Sequence, residues 1–197
     1  MCRTGARWRN EHGTTVMAKK DYSEDLLIQA PTAELLESRL GWQNVFAQDD
    51  EDFGPDSLLG RSNDTEVVLS REVLAALKRL NPGLAAEAYS QALALVLQDD
   101  VTKTLIALNE DKYKLLRDGV PVKYRDAAGR LVDKRLRLID FDHPENNRYQ
   151  AVRELWVRGR LWLRRPDVIG YVNGLPLVFI ELKRFEVHID SAYKKNY

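Results

Sequence analysis

Cysteine and an excess of charge of either sign are the features this sequence most clearly lacks. Its 197 residues include one cysteine, Cys2, so the chain cannot form an internal disulfide or a cysteine-based metal site. Such sparing use of cysteine is typical of the reducing cytoplasm. The 30 basic and 30 acidic residues balance to a formal net charge of zero. Any contact with a polyanion must therefore depend on local clusters of charge.

Long apolar runs are also missing. None approaches the roughly 20 residues that span a bilayer, and the basic N-terminus has no apolar stretch behind it, which argues against a secretory signal. The phosphate-loop pattern Gly-x-x-x-x-Gly-Lys-Ser/Thr does not occur, so we expect no ATP binding by these residues. What remains is 44% hydrophobic and 30% charged, a composition that suits one globular domain.

The first half of the chain carries helical periodicity. Residues 1–20 are polar without periodicity and predict a disordered leader, in which Met17 is an alternative start. Leucines recur at helical spacing from Ser23 onward, and we expect Pro31 to divide this run and leave a second helix near residues 32–40. Three further helices are expected, at residues 70–80, 84–97 and 101–116.

The second half changes to strand periodicity. Two nearly continuous apolar runs, 168–172 and 177–182, flank Asn173-Gly174 and are typical of central strands buried on both faces. Helices that precede a strand-rich centre predict an α/β or α+β domain. Other strands are expected at residues 120–124, 131–141 and 149–158.

Charged residues stand where the two apolar runs begin and end. Asp167 precedes the first run, and the alternation of a strand puts Glu181 and Lys183 on one face of the second. Two carboxylates with the Leu182 backbone carbonyl make the hard-oxygen ligand set that Mg²⁺ prefers. Such a metal activates water for phosphodiester hydrolysis, and a neighbouring lysine can hold that water. The pattern alone leaves open a solvated or salt-linked strand end without catalytic function.

The pairing register decides whether the two carboxylates meet. A two-residue loop at Asn173-Gly174 places Asp167 opposite Ile180 and facing away from Glu181. One additional residue in the connection places Asp167 opposite Glu181 on the same face. We therefore predict a three-residue or bulged connection, with pairing that starts late because Pro176 cannot donate to the ladder.

The amino-acid sequence of this hairpin resembles that of a known family. The stretch from Arg165 to Lys183 is similar to the nuclease signature of the restriction (R) subunit of type I restriction-modification enzymes. The resemblance extends over about residues 21–197. It implies a restriction-endonuclease-like PD-(D/E)xK domain, whose central mixed β-sheet is flanked by helices on both faces. Shorter motifs carry the same likeness at residues 22–25, 116–120, 138–141 and 144–147.

The resemblance also assigns roles to individual residues. It implies that Asp167 and Glu181 bind Mg²⁺, for which Mn²⁺ is an expected substitute, and that Lys183 assists the attacking water. Such cores often take a further ligand from a glutamate in an early helix. Glu34 is the candidate here, with Glu37 behind it.

Contacts with DNA are expected from residues on both sides of the trio. Arg164 and Arg165 come just before Asp167, and they are candidates for phosphate contacts together with Arg184, Tyr193 and Lys194. The alternative for the arginines is a solvated strand face beside core tryptophans. Residues 191–197 contain no glutamine, although the family has a Gln-x-x-x-Tyr-type element after its lysine.

The implied enzyme is larger than this chain. The complete subunit continues into an ATP-driven DNA translocase, so ATP is expected to bind there and not to these residues. The implied function is Mg²⁺-dependent cleavage of double-stranded foreign DNA, in a cytoplasmic complex with methylase and specificity subunits and without a membrane. Two alternatives stand beside it: a non-catalytic docking module that anchors the translocase subunit to those partners, and a repair nuclease of the same fold.

Overall fold

The computed structural model describes residues 28–47, 52–159 and 162–182, which contain four α-helices and eight strands. The helices are α1 (Ala30–Leu40), α2 (Ser70–Leu80), α3 (Ala86–Leu97) and α4 (Leu105–Asp118). The strands are β1 (Gln43–Phe46), β2 (Val120–Arg125), β3 (Leu131–Leu136), β4 (Tyr149–Arg153), β5 (Val157–Arg158), β6 (Leu163–Arg164), β7 (Val168–Val172) and β8 (Leu175–Ile180). A short 3₁₀ helix spans Pro144–Asn146.

The central sheet is mixed and has the strand order β1-β4-β7-β8. β1 runs parallel to β4, and the other neighbours pair antiparallel. The pairs β2–β3 and β5–β6 form two separate antiparallel ribbons. This arrangement confirms the predicted α+β fold with a central mixed sheet. Within the described ranges, no helix combines the length and the apolarity that crossing a membrane requires.

The helices lie close to where the periodicity predicts them. α2 coincides with its predicted range, and α3 and α4 begin somewhat later than expected. Pro31 lies in the first turn of α1, where its missing N–H removes no helical hydrogen bond, so it does not divide the described helix. The earlier helical piece expected from Ser23 lies outside the described residues.

Two apolar clusters stabilise the fold. The first joins α2 and α3 to the β2–β3 ribbon and to the turn end of β7–β8, where Val172 and Leu175 are buried. The second packs Ile169 and Tyr171 of β7 against Leu69, which precedes α2. The opposite face of β7 meets the segment after α1, because a Cβ on Gly170 would lie 2.7 Å from Trp42 Cζ3. The sheet is therefore covered on both faces at β7.

β7 and β8 differ in burial. Every residue of β7 is buried, as predicted. β8 ends the strand order among the described residues, and its Leu177, Val178 and Phe179 are 44%, 39% and 61% exposed. The prediction that both apolar runs form central strands buried on both faces is therefore wrong for β8. This edge position also explains why Pro176 is tolerated there.

The β7–β8 connection combines a tight turn with a bulge. Asn173 and Gly174 form a two-residue turn, both with positive φ (52° and 81°), as a type I′ hairpin requires. Gly174 is also needed for space, since a Cβ there would lie 2.7 Å from the Leu69 carbonyl oxygen. Pairing starts immediately after the turn, so the expected late start at Pro176 is wrong.

The bulge corrects the register farther along the hairpin. Tyr171 faces Pro176 but Gly170 faces Val178, so Leu177 is the additional residue. The predicted bulged connection is therefore confirmed, with the bulge in β8 and not in the turn. The last pair of the ladder is Val168 with Ile180, and one more step along both strands sets residue 167 across from residue 181.

An amide network holds the turn end of this hairpin. Asn173 is 1% exposed, and its Nδ2 donates to the Leu138 carbonyl at 2.9 Å and to Asn147 Oδ1 at 2.8 Å. Its Oδ1 accepts from the Arg79 guanidinium at 2.7 Å and from the Arg148 N–H at 2.8 Å. All four hydrogen-bonding positions of this side chain are thus used.

The family-like motifs at residues 138–141 and 144–147 belong to the same network. Asn147 Nδ2 donates to the Asp140 carbonyl at 2.7 Å, and the Asp140 carboxylate accepts from Asn146 Nδ2 at 2.9 Å. Their contacts are structural and lie at the turn end of the hairpin. β3 stops before them, at Leu136, because the Arg137 N–H donates to Asn81 Oδ1 at 2.8 Å. This explains why the strand is shorter than predicted.

Candidate active site

Asp167 lies immediately before β7, and three separate segments meet at it. Its Oδ2 accepts from the Leu182 N–H at 2.6 Å, and its Oδ1 accepts from Gln29 Nε2 at 3.1 Å. Its backbone carbonyl accepts from the Glu154 N–H at 3.2 Å, which continues the contact between β4 and β7. The carboxylate is therefore oriented by the start of α1 and by the end of β8, which are distant in sequence.

Glu181 directly follows β8 and is half-buried. Continuing the bulged register by one residue places Glu181 across from Asp167. The hydrogen bond from the Leu182 N–H to Asp167 shows that the two strand ends remain adjacent there. The structure thus brings Asp167 together with residues 181–182. Four predicted site residues lie outside the described residues: Lys183, Arg184, Tyr193 and Lys194.

The two glutamates proposed on the early helix are both exposed. The residue at this end of α1 that contacts Asp167 is Gln29, which is 3% exposed and immediately precedes the helix. Ala33, four residues later, is fully buried, so Gln29 begins the buried side of α1 while Glu34 and Glu37 lie on its exposed side.

Gln29 is the residue that sequence reasoning missed. The helix ligand expected from the resemblance was acidic, whereas Gln29 is neutral. One signal was present, since Gln29 is the single polar residue in the apolar run 26–30. A polar side chain among apolar neighbours needs a hydrogen-bonding partner when it is buried.

The two arginines before Asp167 have different surroundings. Arg165 forms an ion pair with Glu154 at 2.8 Å, and its guanidinium lies 5.1 Å from the centre of the Trp156 ring. Arg164 is exposed and lies 5.5 Å from the centre of the Trp162 ring, which is itself 66% exposed. Trp162 is therefore not a core residue, contrary to the alternative interpretation of this segment.

The donors at this end of the sheet fit a hard divalent cation. They are the carboxylates of Asp167 and Glu181, with the Leu182 carbonyl next to them in the chain and the buried amide oxygen of Gln29 close by. Among the described residues, no group of three or more His, Cys, Asp and Glu side chains is placed to bind a metal. Any further oxygen ligand from the described part must therefore come from a group other than a third carboxylate, such as an amide, a hydroxyl or a backbone carbonyl.

Comparison with known proteins decides the family. The model of the family described as "Type I restriction enzyme R protein N terminus" matches residues 21–197. This chain belongs to that family. The sequence resemblance is thereby confirmed over the range for which it was proposed.

Curated relatives are named as endonuclease subunits of type I restriction enzymes. The type I restriction enzyme HindI endonuclease subunit of Haemophilus influenzae is 37% identical over 157 residues, covering 79% of this chain and 14% of that protein. The putative type I restriction enzyme MjaIXP endonuclease subunit of Methanocaldococcus jannaschii is 26% identical over 132 residues, covering 62% of this chain and 12% of that protein. The chain thus spans only 14% and 12% of the length of these two relatives.

Proposed function

We propose that this chain is the Mg²⁺-dependent nuclease domain of a type I restriction enzyme R subunit and hydrolyses phosphodiester bonds of double-stranded foreign DNA. The single observation that carries the proposal is the position of Asp167, bound by the Leu182 N–H where a bulge brings the register to Glu181. The names of the relatives support a nuclease role. Sequence recognition and ATP-driven translocation are assigned to methylase, specificity and translocase parts outside these residues, in a cytoplasmic complex.

Each residue of the site has a distinct part in this proposal. A bound Mg²⁺, or Mn²⁺ in its place, would lower the pKa of a water and neutralise charge that develops on the phosphate. Asp167 and Glu181 would hold the cation with the Leu182 carbonyl. The Leu182 N–H, which donates to Asp167 Oδ2, fixes the orientation of the carboxylate, so it needs little rearrangement to act as a ligand. Lys183 would hold the attacking water or accept its proton.

Contacts with the DNA backbone are assigned to the segment just before the site. Arg164 on β6 is exposed and close in sequence to Asp167, and the exposed Trp162 ring limits the conformations of its guanidinium. Arg165 is engaged with Glu154 and Trp156, which favours a role in holding this segment against the sheet. Arg184, Tyr193 and Lys194 remain proposed contacts on the other side of the site.

The decisive experiment is Asp167→Ala in the complete R subunit, assembled with its methylase and specificity partners. We expect DNA cleavage to fall by about 100-fold or more while ATP-driven translocation continues, because only the metal site is changed. Asp133→Ala is the matched control, since Asp133 is an exposed aspartate on β3. Cleavage at the wild-type rate by Asp167→Ala would refute the nuclease assignment.

One observation favours a docking function as a second candidate. β8 presents exposed apolar side chains on a strand at the end of the described sheet, and such edges pair readily with other chains. If this surface anchors a partner subunit, Phe179→Lys will reduce complex assembly in size-exclusion chromatography and leave metal binding intact. If Phe179→Lys does not affect assembly and Asp167→Ala abolishes cleavage, the docking function is excluded and the nuclease proposal stands.

A further inference from the structure

Two buried glutamines each carry an amide oxygen without a hydrogen-bond partner within the described part of the chain. Gln29 and Gln150 are both 3% exposed, and Oε1 is the unsatisfied atom in each. A buried carbonyl without a partner lowers stability, so such an atom in a native fold needs an explanation. The two side chains differ in their neighbours. Gln150 donates to the Gln43 amide at 3.4 Å, whereas Gln29 donates to the Asp167 carboxylate at 3.1 Å.

We propose that Gln29 is a further ligand of the metal site, and that its unsatisfied amide oxygen binds the cation held by Asp167. The inference rests on the proposed function, because it requires a cation at Asp167. The ligand role first expected of Glu34 is thereby assigned to Gln29, a neutral residue that immediately precedes α1. The metal site then has two carboxylates and one amide, and it lacks a third acidic ligand from the described residues.

The geometry of the Gln29 amide supports this assignment. Without a cation, the NH₂ group must face the carboxylate, since two oxygens in contact would repel each other. A half-turn of the amide exchanges its nitrogen and oxygen and leaves the oxygen about as far from Asp167 Oδ1 as the nitrogen is now, at 3.1 Å. Adjacent ligands of an octahedral Mg²⁺ at about 2.1 Å are separated by about 3 Å. The amide is therefore already placed at the spacing of a neighbouring ligand.

The charges around position 29 explain why a neutral glutamine suits this position better than a glutamate. Asp167 and Glu181 already bring two negative charges to one end of the sheet, and a third carboxylate at Gln29 would repel Asp167 whenever no metal is bound. An amide supplies the oxygen without that repulsion, at the expense of weaker cation binding, because affinity rises with the charge of the ligands. Gln29 therefore sets a moderate affinity.

The direction in which Gln29→Glu changes the Mn²⁺ affinity distinguishes a metal ligand from a residue that only positions Asp167. Gln29→Glu keeps the shape and provides an oxygen, but an ionised glutamate cannot donate to Asp167. If Gln29 is a ligand, Gln29→Glu will bind Mn²⁺ more tightly, by roughly tenfold, and metal will raise its Tm more than that of the wild type. If Gln29 only orients Asp167, the same variant will bind Mn²⁺ more weakly.

We would titrate Mn²⁺ and Mg²⁺ into the 197-residue chain by calorimetry and record Tm with and without metal. Gln29→Met is expected to weaken Mn²⁺ binding by about tenfold or more. Gln150→Met and Gln150→Glu are matched controls, which alter an equally buried glutamine away from Asp167 and should leave the metal affinity unchanged. Gln29→Glu keeps the test decisive if Gln29→Met does not fold.

The outcomes distinguish this inference from the function on which it rests. Wild-type Mn²⁺ affinity in Gln29→Met, or weaker binding in Gln29→Glu, would overturn the role of Gln29 while the nuclease proposal stands. Loss of binding in Asp167→Ala with unchanged binding in Gln29→Met would have the same meaning. Absence of metal binding by the wild-type chain, equal to that of Asp167→Ala, would overturn both.

Discussion

The two ends of the β7–β8 hairpin follow opposite principles of construction. At the turn end, Asn173 uses all four of its hydrogen-bonding positions within the protein and is 1% exposed. At the open end, the Asp167 carboxylate accepts from Leu182 and Gln29, and the Gln29 amide oxygen has no partner among the described residues. Both ends are built from family-like sequence, yet only at the open end does a glutamine with an unsatisfied oxygen donate to a candidate metal ligand.

Under the proposed function, this difference separates residues that hold the fold from residues that would bind a cation. A closed network of buried amides stabilises one conformation, and each missing member would leave its neighbours unpaired. An open network retains a group whose hydrogen bonding is incomplete, which is why unsatisfied groups are informative at candidate sites. We therefore expect substitutions at the turn end to reduce stability and those at the open end to reduce metal binding and cleavage.

The largest effect on stability is expected from Asn173→Ala. The change leaves the Leu138 carbonyl and the Arg148 N–H without their buried partner and puts alanine at a positive φ. We expect the free energy of unfolding to fall by about 3 to 5 kcal/mol in urea denaturation. Asn173→Gly is the control, because it also lacks the side-chain amide but adopts a positive φ without strain. A loss no greater than that caused by Asp167→Ala would contradict the proposed division between the two ends.

The sequence was sufficient to predict the burial of β7 and a bulge that shifts the register of the hairpin. An uninterrupted apolar run signals a strand buried on both faces, and the requirement that Asp167 meet Glu181 predicted a bulge, which the structure has at Leu177. This worked because the alternation of side chains in a strand leaves only two choices of face, so one additional residue decides between them.

Other features depend on contacts that no local pattern contains. β1 is only four residues long, too short to show periodicity, and it exists because it pairs with β4. β8 is strongly apolar like β7, and only its place at the end of the described strand order makes it an edge there. Gln29 was overlooked because its role depends on a partner 138 positions away in the sequence. These are tertiary effects, which override local propensity.

A smaller effect is expected from Arg164→Ala, which probes DNA contact beside the open end. Arg164 is exposed and close in sequence to the site, so its loss should remove one phosphate contact. We expect a reduction in DNA affinity of about threefold to tenfold, and a decrease of about 0.9 in the slope of log affinity against log salt concentration. Fluorescence anisotropy in EDTA, on the complete subunit with the Asp167→Ala change, measures binding without cleavage. Arg130→Ala in the β2–β3 turn is the control. Equal DNA affinities for the two variants would show that Arg164 does not contact DNA.

The smallest effect concerns the pH dependence of the turn end. The hydrogen bond from Asn146, with those from the His143 N–H and the charge of Arg137, lowers the pKa of Asp140. A carboxyl whose folded pKa lies below its unfolded value contributes stability that is complete above the unfolded pKa and is lost as pH falls through the folded one. Asp140→Asn should therefore lose less stability than the wild type between about pH 5 and about pH 3, although it is less stable at neutral pH. Urea unfolding across that range measures the slope, with Asp133→Asn as an exposed control. If Asp140→Asn and the wild type have parallel pH profiles, the charge of Asp140 contributes nothing to the network, and hydrogen bonding by its neutral neighbours alone must hold the turn end.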